Sequence, residues 1–242
     1  MSFNYSPKIV TDDIMLYLDA ANTKSYPGSG TVWTDLGRNN YNVNLINGPT
    51  FDTINNGIIK SDGVDSYVQV GTTFSDFQIP STWSYCGFVY CNLTITTTST
   101  IADILAKGTT NGNSGVLLSF RGGVYNGLYF RLTGLAPTPP NTDVIPTIDY
   151  SSVVSNKWSF VCVTKSSYEY KLYLNGNLLQ TLTDPYSRDV NNNTNTLKFM
   201  GGDGASVGQK VWLGPQIMYN RTLSATEIIQ NYKTLKSRFG IG

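Results

Sequence analysis

The chain has no histidine, two glutamates and three cysteines in 242 residues, and each shortage removes a kind of chemistry. Without histidine there is no Ser–His or Cys–His nucleophile. The usual imidazole ligands of zinc are missing as well. Hydrolysis by paired carboxylates needs two facing acids. Glu227 lies in a helix-capping motif, and Glu169 alternates with Tyr168, Tyr170 and Leu172, which places it toward solvent without a partner. Among the aspartates, Asp62 and Asp65 form the nearest pair, but their spacing equally suits a turn that bonds its own backbone.

Other absences narrow the class further. Charged residues make up 14% of the chain, the net charge is +1, and no Lys/Arg run occurs. Nucleic acid, which demands a basic stripe, is therefore not an expected partner. No apolar run approaches the roughly 18 residues of a membrane span. Residues 1–8 lack the apolar core of a signal peptide, so export by that route is not expected. The odd number of cysteines argues against a complete disulfide framework. Cys86 and Cys91 are five apart in one predicted strand, point to opposite faces, and should not pair with each other. Cys162 lies in an apolar run, and all three read as small buried thiols.

What the chain does have is 40% hydrophobic residues, 16 tyrosines and 23 glycines, the composition of a globular domain with a neutral polar surface. Short alternating segments recur about every ten residues between turn signals, the rhythm of a β-sandwich. They run Ile14–Ala20 (core face Ile14, Leu16, Leu18, Ala20), Tyr41–Ile46, Gly57–Lys60 and Gly63–Val70. Further on come Trp83–Asn92, Ile101–Lys107, Val116–Arg121 and Val124–Leu132. After a Pro-rich interruption, Ala136–Pro146, the series resumes with Trp158–Thr164, Tyr168–Leu174, Leu178–Leu182, Leu197–Met200 and Lys210–Tyr219. Asn175-Gly176 is a hairpin turn signal. Trp33, in the loop Asn22–Asn40, reads as a plug packed onto the core. The final element is a helix, Ser224–Lys236, opened by the capping box Ser224-Ala225-Thr226-Glu227. Its expected buried face is Ala225, Ile228, Ile229, Tyr232 and Leu235, with cations near the C-terminal end and Gly240 as the stop. The expected architecture is all-β: an antiparallel two-sheet jelly-roll sandwich with one C-terminal helix. Residues 1–12 form an arm and 13–242 a single domain.

Several segments resemble the laminin-G-like, or concanavalin A-like, lectin/glucanase sandwich family. They are Ser61–Val68, Lys157–Thr164, Leu172–Gly176 and Leu213–Ser224. The opening Leu16–Leu36 and the close Asn231-Tyr232 with Arg238–Gly240 are similar to such domains in structural proteins of tailed bacteriophages. Gly37–Val43 departs from that pattern, being more strand-like than the family's turn.

The resemblance implies a non-catalytic structural or adhesive component of a virion, in the head decoration, tail or fibre, made in the host cytoplasm. Its partners would be other virion proteins and cell-surface glycans, and it could assemble as a homo-oligomer. The alternatives it leaves are a free lectin module, calcium-dependent in some relatives, and a glycoside hydrolase. Glucanases of the family carry Glu-x-Asp-x-x-Glu, which this chain lacks. No cofactor is expected. Calcium is the one metal the family suggests, with Asp62, Asp65 and Asp203 as candidate oxygen donors and no ligand carried over.

Alternation also suggests a surface patch. If Val116–Arg121 pairs with Val124–Leu132, then Leu118, Phe120, Leu128 and Phe130 point inward. Arg121, Tyr129 and Arg131 then share the outer face, with Tyr125 and Ser119 nearby. Such a patch suits a glycan, a protein contact rich in Tyr and Arg, or plain solvent.

Overall fold

The computed structural model describes residues 8–91, 101–108, 115–121, 127–133, 141–142, 156–184, 190, 195–201 and 211–241. Their strands form two antiparallel sheets. The eight-stranded sheet contains β1 (Ile14–Leu18), β3 (Thr50–Asp52), β4 (Ile58–Lys60), β6 (Trp83–Cys91), β11 (Trp158–Ser166), β12 (Glu169–Leu174), β13 (Asn177–Thr183) and β15 (Val211–Tyr219). Its order is β13-β12-β11-β6-β15-β4-β3, with β1 also paired to β15. The seven-stranded sheet contains β2 (Val43–Ile46), β5 (Tyr67–Val70), β7 (Ile101–Lys107), β8 (Gly115–Arg121), β9 (Gly127–Thr133), β10 (Asn141–Thr142) and β14 (Leu197–Phe199), in the order β10-β9-β8-β7-β14-β5-β2. The expected sandwich is present. One difference is β10, a two-residue strand on β9 within the Pro-rich stretch expected only to interrupt the pattern.

Period-two alternation builds the layers. Leu118, Phe120, Leu128 and Phe130 from one sheet meet Trp83, Tyr85, Val163 and Leu172 from the other in the main core. Rings cross the gap, as in Trp83 against Phe130 at 6.4 Å and Tyr85 against Phe199 at 6.2 Å. Trp33 is fully buried in this core, as the plug reading required. In β1 a register shift between Ile14 and Leu16 turns Ile14 away from the core, where it packs on a second apolar cluster, and Met15 joins the core instead. A one-residue irregularity is enough for this, because strand faces alternate singly.

β6 is buried on both faces. Its even-numbered residues Cys86 and Phe88 belong to the second cluster, with Phe160, Cys162, Ile217, Tyr219, Ile228 and Phe239. The cover over this outer face is helix α1 (Ala225–Leu235) and the 3-10 turn Lys236–Phe239. Ser224 accepts from the Glu227 amide and Glu227 reaches back to the Ser224 amide, so the capping box forms as read. Within the helix the residues fully buried are Ile228 and Asn231, whereas Ala225 and Ile229 face solvent. Asn231 takes an apolar position because its amide is satisfied there: Oδ1 accepts from Val10 N at 2.8 Å and Nδ2 donates to the Tyr219 hydroxyl at 2.9 Å. Gly240 ends the 3-10 turn, not the α-helix, at a φ of 65°.

A proline lies inside the doubly paired strand β15. The ladder to β6 shifts register between Leu213 and Gln216, around Pro215, which has no N–H to give. The Gln216 side chain fills the break. Its amide donates to Phe88 O at 3.1 Å and to Gly214 O at 3.2 Å, and its oxygen accepts from the Tyr85 hydroxyl at 2.6 Å. Gly87 is required opposite, since a Cβ there would sit 2.6 Å from the Gln216 oxygen.

The β11–β12 hairpin turns at Ser167-Tyr168, leaving Tyr168 half exposed rather than in the core. Glu169 is not without a partner: Lys171 on the same strand face lies 2.6 Å away. Asn175 and Gly176 both take positive φ, as the turn signal requires.

Candidate binding surface

Ala106, Leu117 and Tyr129 form a small cluster apart from the main core, which marks the outer face of the seven-stranded sheet. Register carries that face across six strands. Arg131 opposes Leu117, Leu117 opposes Ala106, and Ala106 opposes Lys198. Lys198 opposes Gln69, and Gln69 opposes Asn44. Directly opposed residues share a face, so these six line one row. The adjoining row runs Tyr129, Ser119, Asp103.

The structure therefore brings Arg121, Tyr129 and Arg131 onto one outer face, but not as three equals. Tyr129 is on the outer face as read, but it is 1% exposed and does not offer a ring to solvent, so it is not the open platform the patch reading supposed. The Arg121 guanidinium lies 4.1 Å from the ring centroid, and Arg121 Nε donates to Ser119 Oγ at 3.1 Å. The ring thus serves as a floor for the arginine. Arg121 and Arg131 are half-buried, as are Lys198, Gln69, Asn44 and Tyr67. Lys198 sits 5.0 Å over the Tyr67 ring. Asp103 is buried at the centre of the face. Tyr125 lies outside the described residues. The surface is a sealed centre rimmed by charge-bearing and amide donors on rigid strands. Such a rim can grip carboxylates, hydroxyls or backbone carbonyls.

Lys198, Gln69, Asn44 and Asp103 escaped the sequence reading, because the pairing β7-β14-β5-β2 joins segments far apart in the chain. Alternation within Leu197–Met200 would have turned Lys198 outward, but nothing local says which strand it meets.

A concavity of about 1000 Å³ opens beside β1, between residues 9–13 and the turn Leu36–Asn39. Tyr17, Asn22, Arg38 and Asn39 line it. Gly37–Asn42 is a side-chain-bonded turn here, with β2 beginning only at Val43. Asp35 accepts from the amides of Gly37 and Tyr41, and Asn39 donates to Met15 O at 2.9 Å. Burial and the neighbouring Asp19 push the Tyr17 phenol well above its ordinary pKa.

The acids show how each is occupied. Asp62 accepts from the amides of Val64 and Ser66, and the Val64 hydrogen bond holds its carboxyl below the usual range. Asp65 accepts from Asn47 Nδ2 at 2.9 Å. Glu227 is clasped by both terminal nitrogens of Arg221, which pulls its pKa down to about 2. Asp203 lies outside the described residues, and among those described no group of three acids, cysteines or histidines converges as a metal site. Among the described residues no helix is long and apolar enough to cross a membrane.

Two layered antiparallel sheets with one terminal helix define a concanavalin A-like β-sandwich. The chain belongs to the concanavalin A-like lectin/glucanases superfamily, whose model matches residues 62–229. Among solved structures, the binding domain of botulinum neurotoxin DC in complex with rat synaptotagmin II is similar at a TM-score of 0.69 and 18% identity, covering 93% of this chain and 52% of that one. A botulinum neurotoxin type C structure, from work tying cell entry to two ganglioside molecules, is similar at 0.67 and 19%, covering 93% and 52%. The serotype D ligand-binding domain in complex with N-acetylneuraminic acid follows at 0.65 and 18%, covering 93% and 51%. The chain spans about half the length of these proteins, and the likeness is one of fold. No curated protein is significantly similar to it.

Proposed function

We propose that the chain is a non-catalytic binding and structural module of a bacteriophage particle, acting through the outer face of its seven-stranded sheet. The observation that carries this reading is the asymmetry of the sandwich. One outer face is closed by α1 and the chain's own ends, while the other presents Arg121, Arg131, Lys198, Gln69 and Asn44 on paired strands. The occupied states of Glu169, Glu227 and Asp62 argue against a carboxylate pair waiting for a substrate. The virion assignment rests on the likeness of residues 16–36, 231–232 and 238–240 to phage structural domains, and host-cytoplasmic synthesis and virion partners follow from it. The module needs no cofactor in this reading, and chelation should leave its binding unchanged.

A glycan is the favoured ligand. Structural neighbours bind N-acetylneuraminic acid and depend on gangliosides, and a rim of guanidinium, ammonium and amide donors suits sugar hydroxyls and carboxylates. The test is glycan-array binding by the wild type and an Arg121→Ala/Arg131→Ala/Lys198→Ala variant, beside mass spectrometry of purified particles. A loss of about tenfold or more, equivalent to about 1.4 kcal/mol, is expected. Unchanged glycan binding together with unchanged incorporation into particles would remove the surface from the function.

A further inference from the structure

Cys86 on β6 stands directly opposite Cys162 on β11. Their Sγ atoms are 2.7 Å apart, and both residues are fully buried in the cluster beneath α1. Opposed residues of an antiparallel pair have Cα atoms about 4.5 or 5.5 Å apart. Both values fall inside the disulfide range of about 4.4–6.8 Å. Cys91 belongs to the other face and to the main core, so it cannot compete. We propose that Cys86 and Cys162 are a modification site, closing to a cross-strand disulfide when the chain folds in the presence of a small-molecule disulfide oxidant.

The chemistry is thiol–disulfide exchange. One cysteine thiolate attacks the oxidant, forming a mixed disulfide and expelling one thiolate. The second cysteine thiolate then attacks the protein-bound sulfur, forms the Cys86–Cys162 bond and releases the second thiol. The protein loses two hydrogens, and the oxidant is reduced to two thiols. Burial pushes the Cys162 thiol well up, so exchange belongs to a state in which the cover of α1 is not yet seated or is transiently lifted. The bonded residues are 76 apart, and the intervening chain carries β7, β8, β9 and β10. One bond in the covered sheet would tether β8 and β9, which carry the Arg121 and Arg131 part of the rim. Closing a loop of that length restricts the unfolded chain, so the oxidised form should melt several degrees higher.

The experiment folds the wild-type chain in glutathione buffers of reducing and oxidising poise, then denatures and alkylates it for mass spectrometry. Three alkyl groups are expected after reduction and one, on Cys91, after oxidation, with a crosslinked peptide joining Cys86 to Cys162. Cys91→Ser should keep the redox-dependent melting shift, and Cys162→Ala should abolish it. Three alkyl groups in both buffers, or a crosslink through Cys91, would overturn the proposal. Because the map uses the wild type, it decides the matter even if Cys162→Ala does not fold.

Discussion

The two outer faces of this sandwich solve opposite problems. On the eight-stranded sheet the outward residues of β6, β11 and β15 are Cys86, Phe88, Phe160, Cys162, Ile217 and Tyr219, and water is kept from them by α1, Val10 and Phe239. On the seven-stranded sheet the outward row carries Arg131, Lys198, Gln69 and Asn44, which keep partial contact with solvent. A sheet's two surfaces are thus decided by which outward positions are apolar, and the helix goes where they are. The proposed function leaves binding to the other side.

If that division is real, substitutions on the covered side should damage stability and those on the open side should damage recognition. The largest effect is expected for Arg238→Ala. Arg238 Nη1 pairs with Asp19 at 2.9 Å and Nη2 donates to Gly57 O at 2.7 Å, with both charged partners largely buried. Stranding the Asp19 carboxylate should cost about 3–5 kcal/mol in denaturant unfolding. Asn231→Leu comes next. It unpairs the Val10 amide and removes the donor to the Tyr219 hydroxyl, which keeps its own bond to Val10 O, and should cost about 2 kcal/mol, with loosened protection of residues 8–12 in hydrogen exchange.

A third way to sharpen the contrast is pH. Glu227 titrates at about 2 when folded, below its ordinary 4.5, so the stability it lends is complete above about pH 4.5 and lost as pH falls toward 2. Glu227→Gln should flatten that acid limb of a thermal-melting profile. The smallest stability effect belongs to the open face: Lys198→Ala should stay within about 0.5 kcal/mol while weakening ligand capture. Were it to destabilise the chain as Arg238→Ala does, the two faces would not differ in kind.

Much of the fold could be read from local pattern. Alternation in Val116–Arg121 and in the described part of Val124–Leu132 sorted core from outer residues correctly, residues 124–126 lying outside the described residues, and Ser224 with Glu227 announced the helix start. Asn231 was not legible as a buried residue, because its place depends on Val10, 221 positions away. Lys210–Tyr219 read as a strand with Pro215 inside it, but how the ladder survives the proline was not legible, since Gln216 repairs it only in three dimensions. For the candidate surface, alternation put Tyr129 on the right face but could not reveal that it is sealed. The facing of Cys86 and Cys162 likewise waited on strand register.

The triangle of Val10, Asn231 and Tyr219 draws both extremities of the sandwich to one place, on the side away from the rim. Whatever is attached there, whether a neighbouring subunit or more polypeptide, would hold the module by its back. The rim would then project outward, oriented like a palm on a wrist.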